Sequence, residues 1–127
     1  MILIRILKLS LILLTQRFFK FFKKKSAGFI ININSLAGKN YTKHESVYCA
    51  SKYGLKGFMG AFQLEALEHN VPIISIFLGA MNTDLTADRK DPSKFIRTEE
   101  VAEFICSLVY NYISMRFSEI DILRRLY

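Results

Sequence analysis

Glycine is scarce and scattered in this chain, six residues in 127, and no glycine-rich turn opens a helix. The sequence therefore offers no ready cradle of backbone N–H groups for a phosphate. Cysteine is nearly absent too. Cys49 and Cys106 are far apart with no second Cys near either, which argues against a disulfide framework or a zinc site. Both read as buried, reduced thiols of a cytoplasmic protein. His44 and His69 stand alone without metal-ligand spacing and read as solvated side chains, so no metal is expected. Long hydrophobic runs are also missing. Arg5 and Lys8 interrupt residues 1–14, and the longest uncharged apolar stretch there, residues 9–14, contains Ser10. That is far short of the roughly 18–20 residues that span a bilayer, and no small-residue cleavage site follows.

Acids are absent from the first 25 residues, where Arg5, Lys8, Arg17, Lys20, Lys23, Lys24 and Lys25 supply seven positive charges. This accounts for the whole net charge of +7, because the other 11 basic residues are matched by 11 acidic ones. The basicity is local, and a nucleic-acid partner is not expected. A content of 51% apolar and 23% charged residues describes one globular domain over residues 1–127.

The N-terminal segment has a helical period. Leu3, Leu7, Leu11, Leu14, Phe18 and Phe21 share one stripe, with Arg5, Lys8, Gln16, Lys20 and Lys23 opposite. A helix packed on a core by that stripe is the first reading. A basic helix lying on an anionic membrane surface is the second, and a secretory signal the third.

Further along, helix and strand alternate. Residues 26–28 break the first helix, and residues 29–34 form an Ile-rich strand. A second helix covers residues 45–69, with Asn70 as its end signal. Gly54, Gly57 and Gly60 recur every third residue on one of its faces and predict close approach by a helix or a ligand. Residues 71–78 give a second strand that tolerates Pro72 at its start, and residues 79–93 a long loop. Thr98 caps a third helix whose first turn carries Glu99 and Glu100, and residues 118–123 are a weaker last strand. Such alternation predicts an α/β fold: a doubly wound parallel sheet of about three strands with three helices, joined by right-handed crossovers and with helices on both faces.

One constellation carries chemistry. Ser35 closes the apolar run Gly28-Phe-Ile-Ile-Asn-Ile-Asn-Ser35, and Tyr48 follows it by 13 residues with Lys52 four further on. Tyr and Lys four apart project from one helix face, so the ammonium can lower the pKa of the phenol. A Ser at the mouth of the preceding strand can meet that phenol and hold a carbonyl oxygen with it.

These residues resemble the C-terminal half of a short-chain dehydrogenase/reductase. Gly28-x-Ile-Ile-Asn-Ile-x-Ser35-x-x-Gly38 is similar to the strand bearing the catalytic Ser. Tyr48-x-x-x-Lys52, continued to Gly57-Phe58, is similar to the active-site helix. Residues 71–79 with Ala-Met-Asn-Thr83 resemble the next strand and its Gly-x-x-x-Thr turn, and Arg97-Thr-Glu-Glu-Val-Ala102 a late helix start.

The resemblance implies hydride transfer between NAD or NADP and a small carbonyl or alcohol. Ser35, Tyr48 and Lys52 would be catalytic, and Tyr48, Lys52, Gly79 and Thr83 would hold the cofactor. It further implies an incomplete Rossmann-type domain. The family's glycine-rich first half has no counterpart, the catalytic Asn of the fourth helix would align near Leu7 or Lys8, and Leu78 stands where a Pro is usual. The chain alone is expected to bind NAD(P) weakly or not at all and to be impaired as an enzyme. An unpaired edge is expected on the 29–34 strand, to be completed by an N-terminal fragment. The alternative is a non-catalytic interaction protein pairing through its helices with a relative, or forming a homo-oligomer.

Overall fold

The computed structural model describes residues 2–86, 91, 94–111 and 115–124, and among these the side chains from residue 9 onward except at 85 and 111. Three helices and three strands alternate: α1 (Ile2–Lys25), β1 (Ile30–Ser35), α2 (Ser46–Leu67), β2 (Ile73–Leu78), α3 (Thr98–Asn111) and β3 (Glu119–Ile122). Short 3₁₀ turns follow the first two strands, at Leu36–Gly38 and Asp84–Thr86. The strands form one parallel sheet in the order β1-β2-β3, with Ser35 opposite Leu78 and Leu78 opposite Ile122. The expected α/β architecture is present, and all three strands end at one edge of the sheet.

Strand alternation distributes the core. Ile73 joins Leu55, Met59, Phe62, Ala66 and Val71 on the face covered by α2 and α1, while Ile76 and Leu78 pack with Ile96, Val101 and Leu108 on the α3 face. The helices thus cover opposite faces, while both crossovers step the same way across the sheet. The β1-α2-β2 and β2-α3-β3 connections are therefore of opposite hand, and only one can be right-handed. The expectation of uniform right-handed crossovers fails here. Its physical basis is that a right-twisted strand feeding directly into a right-handed helix packs back onto the sheet with one hand, whereas residues 79–97 separate β2 from α3 and uncouple the helix from the strand's twist.

Junctions explain the element bounds. Gly28 has φ +124°, and a Cβ there would lie 2.3 Å from the Phe22 ring, so only glycine permits this turn out of α1. Asn70 ends α2 at φ +56°, with Val71 N–H reaching the Ala66 carbonyl at 3.1 Å.

Several expectations are corrected by packing. The stripe that α1 turns inward is Leu11, Thr15, Phe19 and Phe22, with Thr15 buried, whereas Leu14, Phe18 and Phe21 are each about half exposed. Apolar residues surround most of this helix, so periodicity alone did not fix the buried side. The side chains of Leu3, Leu7 and Lys8 lie outside the described residues. Gly54, Gly57 and Gly60 have nothing within 4 Å of a built Cβ, so no part of the described chain approaches them. Cys49 is buried but Cys106 is exposed. Thr98 lies inside the first turn of α3, where its hydroxyl donates to Glu99 Oε1 at 3.1 Å. His69 is not simply solvated: Lys23 Nζ lies 2.9 Å from its Nε2, and Phe19 packs on its ring. Among the described residues no helix is long and apolar enough to cross a membrane, and no three His, Cys, Asp or Glu gather to hold a metal.

Candidate active site

The site is built where β1 and β2 end. Ser35 is the last residue of β1 and caps the 3₁₀ turn, its Oγ accepting from Ala37 N–H at 3.2 Å. Its own N–H donates to Asn34 Oδ1 at 2.8 Å. The other end of the same Asn34 amide, Nδ2, donates to the Lys52 carbonyl at 3.3 Å. One side chain thereby fixes the Ser35 backbone to the α2 turn that bears Tyr48 and Lys52.

Gly38 tightens this seam. A Cβ on Gly38 would sit 3.0 Å from the Lys52 carbonyl oxygen and 3.3 Å from Asn34 Nδ2, so the turn lies flush against α2 only because no side chain intervenes. Two further bonds join the same segments. Tyr53 OH donates to the Lys39 carbonyl, and Cys49 Sγ lies 4.0 Å from the Asn40 carbonyl.

On the outer side of this helix turn, Tyr48 is 41% exposed. Lys52 Nζ stands over its ring, 5.5 Å from the centroid. The predicted face-sharing of the pair is present, and the phenol opens to solvent rather than to the core. Gly79, just past β2, donates its N–H to the Ile122 carbonyl at 2.9 Å, with Leu36, Ile96 and Ile122 around it. Thr83 lies further along. Its N–H donates to Thr86 Oγ1 at 3.0 Å, and that hydroxyl is 2.6 Å from the Met81 carbonyl and 2.9 Å from the Thr83 carbonyl. The structure thus ties the Ser35 turn to the Tyr48–Lys52 turn directly. Gly79 joins them through Leu36, and Thr83 occupies a separately braced turn beyond.

Lys39 is a residue that sequence reasoning missed. Its ammonium pairs with Asp121 Oδ1 at 2.6 Å and Glu119 Oε2 at 2.8 Å, and it lies 4.3 Å from the Phe77 ring centroid. Burial alone would lower its pKa, but hydrogen bonds and charge from Asp121 and Glu119 outweigh that and leave it above the usual 10.5. Lys39 therefore clamps the turn after Ser35 to β3, while its carbonyl holds Tyr53. The available signal was two acids alternating on the last strand, which put both carboxylates on one face. Tyr41 stacks on Tyr53 with centroids 5.5 Å apart. Burial first, and then the Tyr41 hydroxyl, push the Tyr53 phenol upward in pKa.

The sequence pattern of the family described as short chain dehydrogenase matches residues 3–94. The chain belongs to the short-chain dehydrogenase family. It is 32% identical over 94 residues to carbonyl reductase family member 4 of Xenopus laevis, a match covering 68% of this chain and 40% of that protein. It is 38% identical over 84 residues to a benzil reductase ((S)-benzoin forming) of Bacillus subtilis, covering 65% of this chain and 33% of that protein. Among solved structures, a short-chain dehydrogenase/reductase from Vibrio parahaemolyticus superposes with a TM-score of 0.66 at 28% identity, over 77% of this chain and 45% of that one. A 4-hydroxyisoleucine dehydrogenase complexed with NADH shares the fold, with a TM-score of 0.75 at 22% identity over 87% of this chain and 51% of that one. The chain therefore spans about half or less of these family members.

Proposed function

We propose that this chain carries the proton-handling half of a nicotinamide-dependent oxidoreductase acting on a small carbonyl or alcohol. The observation that carries the reading is the seam between the Ser35 turn and α2, in which Asn34 and Gly38 join the candidate hydroxyl to the Tyr48–Lys52 turn. Ends of parallel strands are where open α/β sheets bind ligands.

The residues fit the nicotinamide end of NAD or NADP. Tyr48 and Lys52 form an open polar pair, and Gly79 brings side-chain-free backbone to the end of β2, between Leu36 and Ile96. Tyr48, Lys52, Gly79 and Thr83 would hold that end. No glycine-rich turn in the 127 residues fits the phosphates. Bound there, the nicotinamide supplies or accepts the hydride.

The chain's own residues do the rest. The Ser35 hydroxyl accepts from Ala37 N–H and keeps its proton for a substrate oxygen. Tyr48 gives a proton to that oxygen in reduction and takes it back in oxidation. Lys52 holds its ammonium over the phenol ring and offers its N–H groups to the nicotinamide end. Turnover in this reading needs a second polypeptide segment that supplies the phosphate site, and a cytoplasmic location fits the reduced thiols. The open glycine face of α2 (Gly54, Gly57, Gly60) leaves room for a second copy in the assembled enzyme.

The test is Tyr48→Phe in the chain joined to a glycine-rich segment from a family member. Turnover of NADPH or NADH with carbonyl substrates should fall at least about 10²-fold, with circular dichroism unchanged. Unchanged turnover would remove Tyr48 from the chemistry.

A further inference from the structure

The last strand reaches the site at two points. Ile122 of β3 accepts from Gly79 N–H at 2.9 Å, and the carboxylates of Glu119 and Asp121 hold the Lys39 ammonium at 2.8 and 2.6 Å. Strand alternation explains how both acids come to one place. Ile120 and Ile122 turn to the α3 face, while Glu119 and Asp121, opposite Ser75 and Phe77, turn to the face that carries α2.

Every polar group of Lys39 is committed. Its N–H donates to the Leu36 carbonyl at 2.9 Å, closing the turn that Ser35 caps. Its carbonyl accepts from Tyr53 OH on α2, and its ammonium reaches β3. One residue therefore ties together the turn of Ser35, the helix of Tyr48 and Lys52, and the last strand. The ammonium is also held in place. Its side chain is only 20% exposed, unlike the partners of an ordinary surface ion pair, and it lies 4.3 Å from the ring centroid of the fully buried Phe77. Lys56 Nζ of α2 lies 5.9 Å from the same centroid. Two ammonium groups at one ring repel each other, so the inward place of Lys39 depends on the carboxylates of β3.

We infer that Lys39, Glu119 and Asp121 form a latch by which β3 positions the Ser35 hydroxyl against Tyr48. The inference rests on the function proposed above for its catalytic consequence, because Ser35 and Tyr48 share a substrate oxygen in that reading. With the latch open, the turn stays fastened to α2 through Asn34 and Gly38. Its far end is then free to swing, and the Ser35 Oγ that accepts from Ala37 N–H moves with it. Lys39, Glu119 and Asp121 are positioning residues, since none touches the reacting atoms. A misplaced hydroxyl slows the chemical step and leaves substrate binding alone.

The test is amide hydrogen exchange by NMR on the purified 127-residue chain, on Lys39→Met, on Lys39→Arg, and on the double variant Glu119→Gln/Asp121→Asn. Exchange at Ala37, Lys39 and Asn40 should speed up about fivefold or more in Lys39→Met and in the double variant. Ile73 and Ile76 on the central strand should keep the parental rate. Lys39→Arg should restore the slow exchange, because a guanidinium bridges two carboxylates. Unchanged exchange at the three turn amides would overturn the latch. So would equal acceleration at Ile73 and Ile76, or an Arg variant that behaves like Met. Should Lys39→Met fail to fold, the double variant makes the same comparison. In the chain joined to a glycine-rich segment, Lys39→Met should lower kcat about tenfold with KM unchanged. An unaltered kcat in an enzyme that Tyr48→Phe inactivates would overturn the positioning role. Turnover that survives Tyr48→Phe would sink the catalytic reading and leave the latch, read by exchange alone, standing.

Discussion

Gly38, Asn34 and Lys39 do the positioning around Ser35, and each acts by a different force. Gly38 acts by absence of volume: a methyl group would press on the Lys52 carbonyl at 3.0 Å. Gly38→Ala should therefore destabilise the chain by about 1–3 kcal/mol, read as a lower urea midpoint with an unchanged slope. It should also loosen the seam to α2. Lys39 acts by charge. Its folded pKa lies above 10.5 because the carboxylates of Asp121 and Glu119 outweigh burial. Its contribution to stability is therefore full below the unfolded value and lost as pH rises through the folded one. Thermal unfolding between about pH 9 and pH 11.5 should show a drop in midpoint that Lys39→Met lacks. An equal drop in both proteins would assign the loss to other side chains.

The Ser35, Tyr48 and Lys52 pattern was legible because two of its members share a helix face by spacing alone. Asn34 and Lys39 were not legible. Their partners lie 18 and 82 residues away, and no local pattern announces a contact across the sheet.

Among the elements, α1 shows how far periodicity reaches. Its helical nature follows from composition, but the side it buries follows from α2 and β1. Phe19 meets Phe62 edge-on at 5.0 Å, while Phe18 is 50% exposed. Phe19→Ala should cost about 2 kcal/mol or more, and Phe18→Ala no more than about 0.5 kcal/mol in the chain by itself. Chemical denaturation of the two variants checks the assignment, and a reversed order would restore the stripe through Leu14, Phe18 and Phe21. β2 is the opposite case. Between two strands and under helices on both faces, it reads as a continuous apolar run, and its bounds were close to legible. α3 was legible through its start signals, although Thr98 supports Glu99 from within the first turn.

Among the described residues the sheet has three strands, with β2 central and β1 and β3 at its edges. Its stability rests on few fully buried side chains, among them Ile73, Ile76 and Phe77 of the central strand. Ile76→Ala should remove about 2–5 kcal/mol, a large part of the roughly 5–15 kcal/mol available to a domain of ordinary stability. Calorimetry should show a cooperative transition at a lower midpoint for that variant. A midpoint within a degree or two of the parent would mean that the α3 face contributes little to global unfolding.

Residue order by itself determined the alternation of helices and strands, the parallel sheet, the family, and the Tyr48–Lys52 pair, because each depends on spacing within one element or on the sequence of elements. Tertiary structure alone decided which face of α1 is buried, that the two crossovers are of opposite hand, that Lys39 joins the Ser35 turn to β3, and that Asn32 is left with a buried acceptor beside a free edge. Those outcomes depend on contacts between segments far apart in the chain, where packing and charge select among arrangements that local spacing allows equally.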